Sequence, residues 1–273
     1  MCLWLLAVCW LTDASAQGAS AAEAKPKRLL LVGQGPDGHP PGTHEYMAGV
    51  QVLARLLAPV KSVTTTIVKA DEPWADGPAL LDQCDAVVLF VTQGAQFIQL
   101  DPQRHAALRR LAARQGGITA LHWGVGAKDA QYIMGQLELL GGTRGGPQRK
   151  YQILETDVRL ADPKHPVLAG LKDFRIKDEF YYRLDMVRGA SGIQPLLTTT
   201  IDGGEEVVCW SWERPTGGRS FGFVGLHFHA NWQRSEYRRL VTQGVLWTLG
   251  QPIPKDGVGV EIEPAALELK PAK

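Results

Sequence analysis

The chain has 273 residues and a mass of 29.8 kDa, with 45% apolar and 21% charged residues, which is an ordinary composition for a globular protein. Lysine and arginine total 29 and aspartate and glutamate 28, so the net charge of +1 provides no field to steer nucleic acid or an anionic membrane surface. The 30 glycines and 17 prolines are scattered, and four cysteines are few for this length, which excludes a fibrous repeat protein and a disulfide scaffold.

An apolar run extends from Leu3 to Leu11, and the small residues Ala14-Ser15-Ala16 follow it. Nine residues at about 1.5 Å each are too short to cross a hydrocarbon layer of about 30 Å. Such a run before a small-x-small site is typical of a secretory signal peptide. No basic residue precedes Lys25, so a buried N-terminal strand is the alternative. We expect residues 1–16 to be a signal peptide and the protein to be periplasmic or secreted, without a membrane span.

The first half of the chain predicts alternating strands and helices. Four apolar runs have the character of strands buried on both faces: Arg28–Gly33, Val63–Val68, Ala86–Val91 and Ile118–Leu121. Thr43 suits the N-cap of a helix with apolar residues at helical spacing from Met47 to Leu57. Asp101-Pro102 predicts the start of a second helix that ends at Gly116-Gly117. This alternation predicts an α/β fold with a doubly wound, mostly parallel sheet flanked by helices.

The second half predicts added antiparallel strands and a closing helix. The strands are Tyr151–Val158, Gln194–Ile201, Glu206–Trp212 and Arg219–Val224, with a hairpin between the last two. Arg234–Leu249 predicts the helix. No linker divides the chain, so we expect one domain over residues 27–250. Residues 251–273 predict a surface-lying extension, with a short edge strand near Val258–Ile262 as the alternative.

Five of the seven histidines follow the carboxyl ends of predicted strands: His39, His44, His122, His227 and His229. Ligands bind at that edge of a parallel sheet, because loops and helix N-termini meet there. His122 directly follows an apolar strand, in a turn that resembles the elbow presenting a nucleophile in other α/β enzymes. For His44 the alternative is a solvated residue at the first position of its helix.

The remaining histidines carry weaker signals. His227 and His229 alternate along an extended segment, so their side chains point to opposite faces and one of them enters the site. We favour His227, because it lies closer to the strand end. His105 falls in the middle of a predicted helix, and His165 lies in a turn sequence before a proline, so both are expected to be structural.

Two acids, Asp178 and Glu179, precede three aromatic residues, Phe180-Tyr181-Tyr182. Sugars need this combination, since aromatic rings contact their C–H faces and carboxylates bind their hydroxyls. The alternative is a strand with solvent-facing acids. Tryptophans such as Trp123 could extend an aromatic wall.

Motifs for other chemistry are missing from the sequence. The loop Gly33–Gly38 carries Pro36 and lacks an acid placed for a ribose, and there is no P-loop, G-x-S-x-G or H-E-x-x-H motif. Cys84 and Cys209 form no C-x-x-C pair and are expected to be buried apolar residues. Because the nucleotide-binding motifs are missing, we expect no nucleotide cofactor.

Four segments carry a family resemblance: the first strand with the helix start THEY, then GGITALHWG, DPKHPVLAGLKDFRIKDEFYYRL, and GRSFGFVGLHFHANW leading to GVLWTLG. Together, over about Arg28 to Leu249, they resemble the ThuA-like (trehalose-utilisation) family, whose fold is similar to that of class I glutamine amidotransferases. Those enzymes carry a nucleophilic cysteine at the elbow, where His122 stands here, so thiolate-dependent glutamine hydrolysis is not available. The resemblance implies a role in carbohydrate metabolism, on disaccharides or their 3-keto derivatives, in some members with a bound divalent metal.

Two hypotheses follow. In the first, the protein is an enzyme in which His44, His122 and His227 hold Zn²⁺, Mn²⁺ or a similar ion. Glu179, His122 and His44 then act in lyase, isomerase or hydrolase chemistry on a saccharide or keto-sugar. The side chains assigned to substrate contact are His39, Glu45, Trp123, Asp178, Tyr181 and His229. In the second hypothesis the same crevice belongs to a non-catalytic carbohydrate-binding accessory protein. Neither predicts a nucleic-acid partner, and both are compatible with a homo-oligomer.

Overall fold

The computed structural model describes residues 25–187 and 192–269, and the predicted signal peptide lies outside them. The strands of the first half are β1 (Lys27–Gly33), β2 (Val63–Lys69), β3 (Ala86–Phe90), β4 (Gly117–Leu121) and the two-residue β5 (Gly142–Thr143). Those of the second half are β6 (Lys150–Leu160), β7 (Phe174–Tyr182), the two-residue β8 (Asp185–Met186), β9 (Ile193–Ile201), β10 (Gly204–Glu213) and β11 (Arg219–Phe223). The α-helices are α1 (Tyr46–Leu57), α2 (Gly77–Gln83), α3 (Gly94–Leu100), α4 (Pro102–Ala113), α5 (Ile133–Leu140) and α6 (Ser235–Thr248).

Nine strands form one sheet in the order β2-β1-β3-β4-β11-β10-β9-β6-β7, and β5 pairs with β8 separately. The first five strands of that order run parallel, whereas each later strand runs antiparallel to its neighbour. The predicted fold class is therefore confirmed, including the hairpin of β10 and β11.

Helices cover the parallel part of the sheet. Every residue of β3 and β4 is buried, as expected for strands covered on both faces. Helices α1 and α6 pack against each other and against parallel strands, while α2 to α5 form a second contiguous group. The carboxyl ends of the parallel strands are left to the connecting loops, which supply the candidate site.

The two predicted helix starts had different outcomes. At α4 the carboxylate of Asp101 accepts bonds from two backbone amides of the first turn, as its N-cap position predicts. At α1 the prediction was wrong, because the helix begins at Tyr46 and Thr43 pairs with Phe228 in an isolated β-bridge. His44 is therefore outside the helix, in a left-handed conformation with φ of 53°. This frees its ring to turn towards the sheet.

Helices α2 and α3 were not predicted, because seven residues each are too few for a clear helical period. The segment of Asp178 and Glu179 forms a strand, β7, as the alternative interpretation held, but both acids are buried and do not face solvent. The described part of the extension contains no strand. It packs on α6, where Arg238 donates to the carbonyl of the buried Val260.

None of the helices within the described residues is long and apolar enough to span a membrane.

Candidate active site

Three imidazole nitrogens from distant parts of the chain meet at the carboxyl ends of the parallel strands. His44 follows β1, His122 follows β4 and His227 follows β11. The Nε2 atoms of His44 and His122 are 3.0 Å apart, and His227 Nδ1 lies 3.1 Å from the first and 3.3 Å from the second. The side chains are 3%, 0% and 5% exposed, so bulk water does not separate them.

The hydrogen-bond partners of Nδ1 in His44 and in His122 determine which nitrogen of each ring carries the proton. His44 Nδ1 faces a carboxylate oxygen of Asp37 at 2.8 Å, and His122 Nδ1 faces the carbonyl oxygen of Val224 at 2.8 Å. Both partners accept hydrogen bonds, so each Nδ1 carries the proton and each Nε2 presents a lone pair. Two lone pairs 3.0 Å apart repel one another unless a cation lies between them. A cation bound between the two Nε2 atoms would remove this repulsion.

The donor set satisfies a test for a metal centre. Ligand nitrogens bound at about 2.0–2.1 Å to a tetrahedral ion lie about 3.3 Å from one another, close to the separations seen here. Each of the two assigned rings also donates its other N–H to a protein oxygen, as second-shell partners of metal-bound histidines do. Together with Glu179, these histidines form a buried cluster whose candidate ligand atoms lie within 4.8 Å of one another, and it could hold a metal ion.

Burial keeps the imidazoles neutral. It lowers the pKa of His227 to about 4 and the pKa of His122 well below its usual value, and repulsion from the protonated form of His44 would add to both effects. Burial also lowers the pKa of His44, although Asp37 opposes that shift. Because metals bind neutral imidazole, the rings are in their ligand form at neutral pH.

Asp37 orients the β1 side of the cluster and was not singled out from the sequence. Burial raises the pKa of this carboxyl, but hydrogen bonds from His44, Tyr46 and His39 outweigh that effect and hold the pKa below its ordinary range. The hydroxyl of Tyr46 donates to Asp37 at 2.8 Å, and His39 Nδ1 lies 2.7 Å from it. The only signal available in advance was its place in the glycine-rich loop after β1.

Glu179 is the acid of the cluster. Its Oε1 lies 3.8 Å from His122 Nε2 and 3.7 Å from His227 Nδ1, beyond direct hydrogen bonding but within reach of a shared ligand. Burial raises its pKa to about 7, while the positive charge of Arg144 pulls the pKa down. At neutral pH the carboxyl therefore exchanges a proton readily, which is the property of a general base or acid.

Asp178, the neighbouring acid, points away from the cavity into the protein. Its carboxylate is fully buried and accepts bonds from the amides of Leu226 at 2.7 Å and His227 at 3.1 Å, and from the hydroxyl of Tyr237 at 3.0 Å. Burial raises its pKa to about 6, and these hydrogen bonds oppose the rise, so the group is charged at neutral pH. Asp178 thus fixes the loop that carries His227 instead of lining the cavity.

Backbone strain concentrates at the cluster. His44, His122 and Leu226, which precedes His227, have φ of 53°, 49° and 77°. Non-glycine residues adopt this left-handed region at a cost of roughly 1–3 kcal/mol each and retain it where the surroundings impose it. After His122 the turn packs so closely that a Cβ on Gly124 would lie 2.3 Å from the carbonyl oxygen of Leu89. The sharp turn predicted at the elbow is therefore present.

Three members of the cluster, His44, Glu179 and His227, line a cavity of about 590 Å³. His122 is fully buried behind them and does not line it. The predicted residues that line it are His39, His44, Trp123, Glu179, Tyr181 and His227, and its further residues include Lys128, Arg144, Tyr151 and Phe228. The hydroxyl of Tyr181 lies 3.1 Å from His122 Nε2. A larger, mainly apolar cavity of about 840 Å³ lies between α4, α5 and β10. No histidine lines it, so we assign the site to the smaller one.

Other predicted residues lie outside this cavity. The carboxylate of Glu45 accepts from the amide of Gly42, and His229 Nε2 faces the carbonyl of Leu267 in the C-terminal extension. His165 accepts from the amide of Val167.

Comparison with known proteins places the fold. No curated protein sequence matches the chain. A protein described as ThuA-like from Bacteroides uniformis has a TM-score of 0.62 and 14% identity, covering 85% of this chain and 94% of its own. A cytoplasmic protein from Salmonella typhimurium has a TM-score of 0.50 and 14% identity, covering 81% and 98% respectively. A GH42 β-galactosidase from G. stearothermophilus has a TM-score of 0.54 and 9% identity, over 84% of this chain and 31% of that enzyme. At such identities these likenesses show the fold alone.

A family model gives the more specific result. The ThuA model, described as trehalose utilisation, matches residues 31–248, a span that runs from β1 to the end of α6 and includes every residue of the histidine cluster. By this match the chain belongs to the ThuA family, which is associated with carbohydrate metabolism.

Proposed function

We propose that the protein is a metal-assisted enzyme that acts on a disaccharide or a 3-keto-glycoside by proton transfer, as a lyase, isomerase or hydrolase. The observation that carries this proposal is the convergence of two assigned imidazole lone pairs and a third ring nitrogen within 3.0–3.3 Å, beside a carboxyl with a pKa of about 7.

His44, His122 and His227 would hold the ion. A bound divalent cation would supply Lewis acidity, polarising a sugar carbonyl or an adjacent hydroxyl. The protein holds this donor set in place through Asp37, which fixes the tautomer of His44, and through Val224, whose carbonyl fixes that of His122.

Glu179 would move the proton. A keto group acidifies the neighbouring C–H bond, and a base whose pKa lies near the working pH removes such a proton effectively. The carboxyl of Glu179 lines the cavity on the same side as the imidazoles, with a pKa raised to about 7 chiefly by burial. In a hydrolase the same group would deprotonate water.

The cavity walls suit a sugar ring. Trp123, Tyr151 and Phe228 line the cavity, and aromatic faces pack on the C–H surfaces of sugars. The hydroxyl of Tyr181 and the ring of His39 add hydrogen-bonding groups near the cluster. A volume of about 590 Å³ is in the range of small-molecule sites.

Elemental analysis of protein purified without chelators tests the metal. We expect about one equivalent of a divalent metal per chain, lost in His122→Ala and retained in His105→Ala, a control on α4 away from the cavity. Thermal unfolding of each variant verifies that the chain is folded.

A product screen tests the chemistry. It compares 3-keto-glycosides with the unoxidised disaccharides, using the wild type and Glu179→Gln, and we expect turnover only with the glutamate present. Absence of metal together with unchanged turnover in His122→Ala would refute the proposal. Saccharide binding that ignores metal and yields no product would identify a carbohydrate-binding accessory protein instead.

A further inference from the structure

Arg144 is a buried cation on the wall of the cavity. It follows β5, and its backbone is tied to the turn after His122, because the amide of Ala127 donates to its carbonyl at 3.0 Å. The residue is 6% exposed, and the centre of its guanidinium lies 4.1 Å from the centre of the Tyr181 ring. The backbone and the ring thus hold the guanidinium at one position beside the histidine cluster.

Among residues 25–187 and 192–269 this guanidinium forms no ion pair within 4.0 Å and no hydrogen bond from its side chain, and its buried Nε has no partner. Glu179 acts on it only at longer range. Burying a cation without a partner is unfavourable, and the face of an aromatic ring offsets only part of that cost. The N–H groups of its terminal nitrogens are therefore available to a ligand in the cavity, which Arg144 lines.

A second cationic side chain lines the same cavity as Arg144. Lys128 also lines it, with its Nζ 5.2 Å from the centre of the Trp123 ring, and it forms no ion pair within the part of the chain that the structure describes. Glu179 is the acidic residue of the lining. Two cationic side chains thus face one carboxyl group.

We propose that the saccharide bound in this cavity carries an oxyanion, as a sugar carboxylate or a sugar phosphate, which pairs with Arg144 and Lys128. The inference rests on the proposed function and specifies its substrate class. A planar guanidinium matches two oxygens of a carboxylate or phosphate at once, whereas a neutral sugar would leave both charges without a partner. Lys128, at the exposed rim, would add a second contact from its flexible side chain.

Isothermal titration calorimetry with glucuronate, glucose 6-phosphate and glucose tests the inference. We expect at least one of the two acids to bind the wild type about tenfold or more tighter than glucose does, and high salt to weaken the preference. The acid that binds better identifies carboxylate or phosphate. In Arg144→Gln the preference over glucose should disappear, and in Lys128→Gln it should fall by a few-fold.

Controls separate recognition from folding. Lys61→Gln, an exposed residue away from the cavity, should bind as the wild type does. Arg144→Lys keeps the charge but loses the planar fork, so an intermediate preference is expected if that variant unfolds at the wild-type temperature. Equal binding of glucose and the acids, binding of none of the three, or a preference that survives in folded Arg144→Gln would overturn the inference. These binding measurements are independent of the metal analysis. Failure of the oxyanion inference can therefore be distinguished from failure of the proposed metal-assisted function.

Discussion

The parallel and antiparallel parts of the sheet contribute different chemistry to the same cavity. The parallel strands end in the three imidazoles, whereas the antiparallel strands β6 and β7 contribute Tyr151, Glu179 and Tyr181. In the proposed function the first set would hold the metal ion, and the second would supply the acid and a wall of the cavity. The crevice of a parallel sheet is a general binding place, so the imidazoles lie where such folds commonly bind ligands, whereas the side chains of the added strands are particular to this cavity.

Two carboxylates support the two parts in different ways. Asp37 lies within the loop after β1 and contacts the outer nitrogen of His44. Asp178 lies on β7 but accepts from the loop after β11, so it joins the antiparallel part to the parallel part. Substitutions at these positions should therefore separate ligand orientation from the joining of the two parts.

The largest loss of stability is expected for Asp178→Asn. The amide presents one acceptor and an NH₂ group to a site where the amides of Leu226 and His227 and the hydroxyl of Tyr237 all donate. Unsatisfied buried donors make a loss of roughly 2–4 kcal/mol in the free energy of unfolding the expected result. Urea denaturation measures it, with Tyr237→Phe as the control that removes one donor at about 1 kcal/mol. Equal losses for the two variants would mean that Asp178 does not join the two parts.

For Asp37→Asn we expect a smaller loss of stability, together with weaker metal binding at the histidine cluster. A neutral amide holds the Nδ1–H of His44 less firmly, and loss of such an outer partner weakens metal binding by about 10- to 100-fold. Competition with a chromophoric zinc chelator measures the affinity, and the unfolding free energy should change by only about 1 kcal/mol. Glu179→Gln, on the antiparallel side, is the matched comparison and should change zinc affinity little. A comparable loss in both variants would add β7 to the metal ligand set and break the division between the two parts.

The smallest expected effect is on the pH dependence of stability, and it comes from His165, which lies between the antiparallel part of the sheet and α6. The ring lies against Trp247 and near Ser211, and burial lowers its pKa. Since the folded pKa lies below the unfolded value of about 6.5, the unfolded chain binds the proton more readily. The stability from this site is complete above that value and is lost as the pH falls below it, by at most about 1.4 kcal/mol per pH unit.

His165→Asn keeps an acceptor for the amide of Val167 and removes the titrating ring. The unfolding free energy of the variant should therefore decline less steeply than that of the wild type between pH values of about 6.5 and 5. The other buried histidines titrate in both proteins, so the difference between the two curves reports on His165. Parallel curves would show that this ring titrates as in the unfolded chain.

The alternation of strands and helices and the placement of histidines after three strands could be predicted from the amino-acid sequence. Both are local: apolar runs define buried strands, and the common direction of parallel strands brings their carboxyl ends to one edge. That is why His44, His122 and His227 could be named together, although 78 residues separate the first two and 105 the last two.

The path by which β7 reaches that edge and the groups that support the imidazoles became visible only in the folded structure. β7 is the last strand of the sheet, four places from β11, yet Asp178 bonds to the loop after β11, so the antiparallel part curls back over the cavity. No local pattern encodes this return, and the same holds for the approach of Arg144 to Tyr181. Contacts between distant segments depend on the twist of the whole sheet and on loop conformations, which propensity and periodicity do not specify.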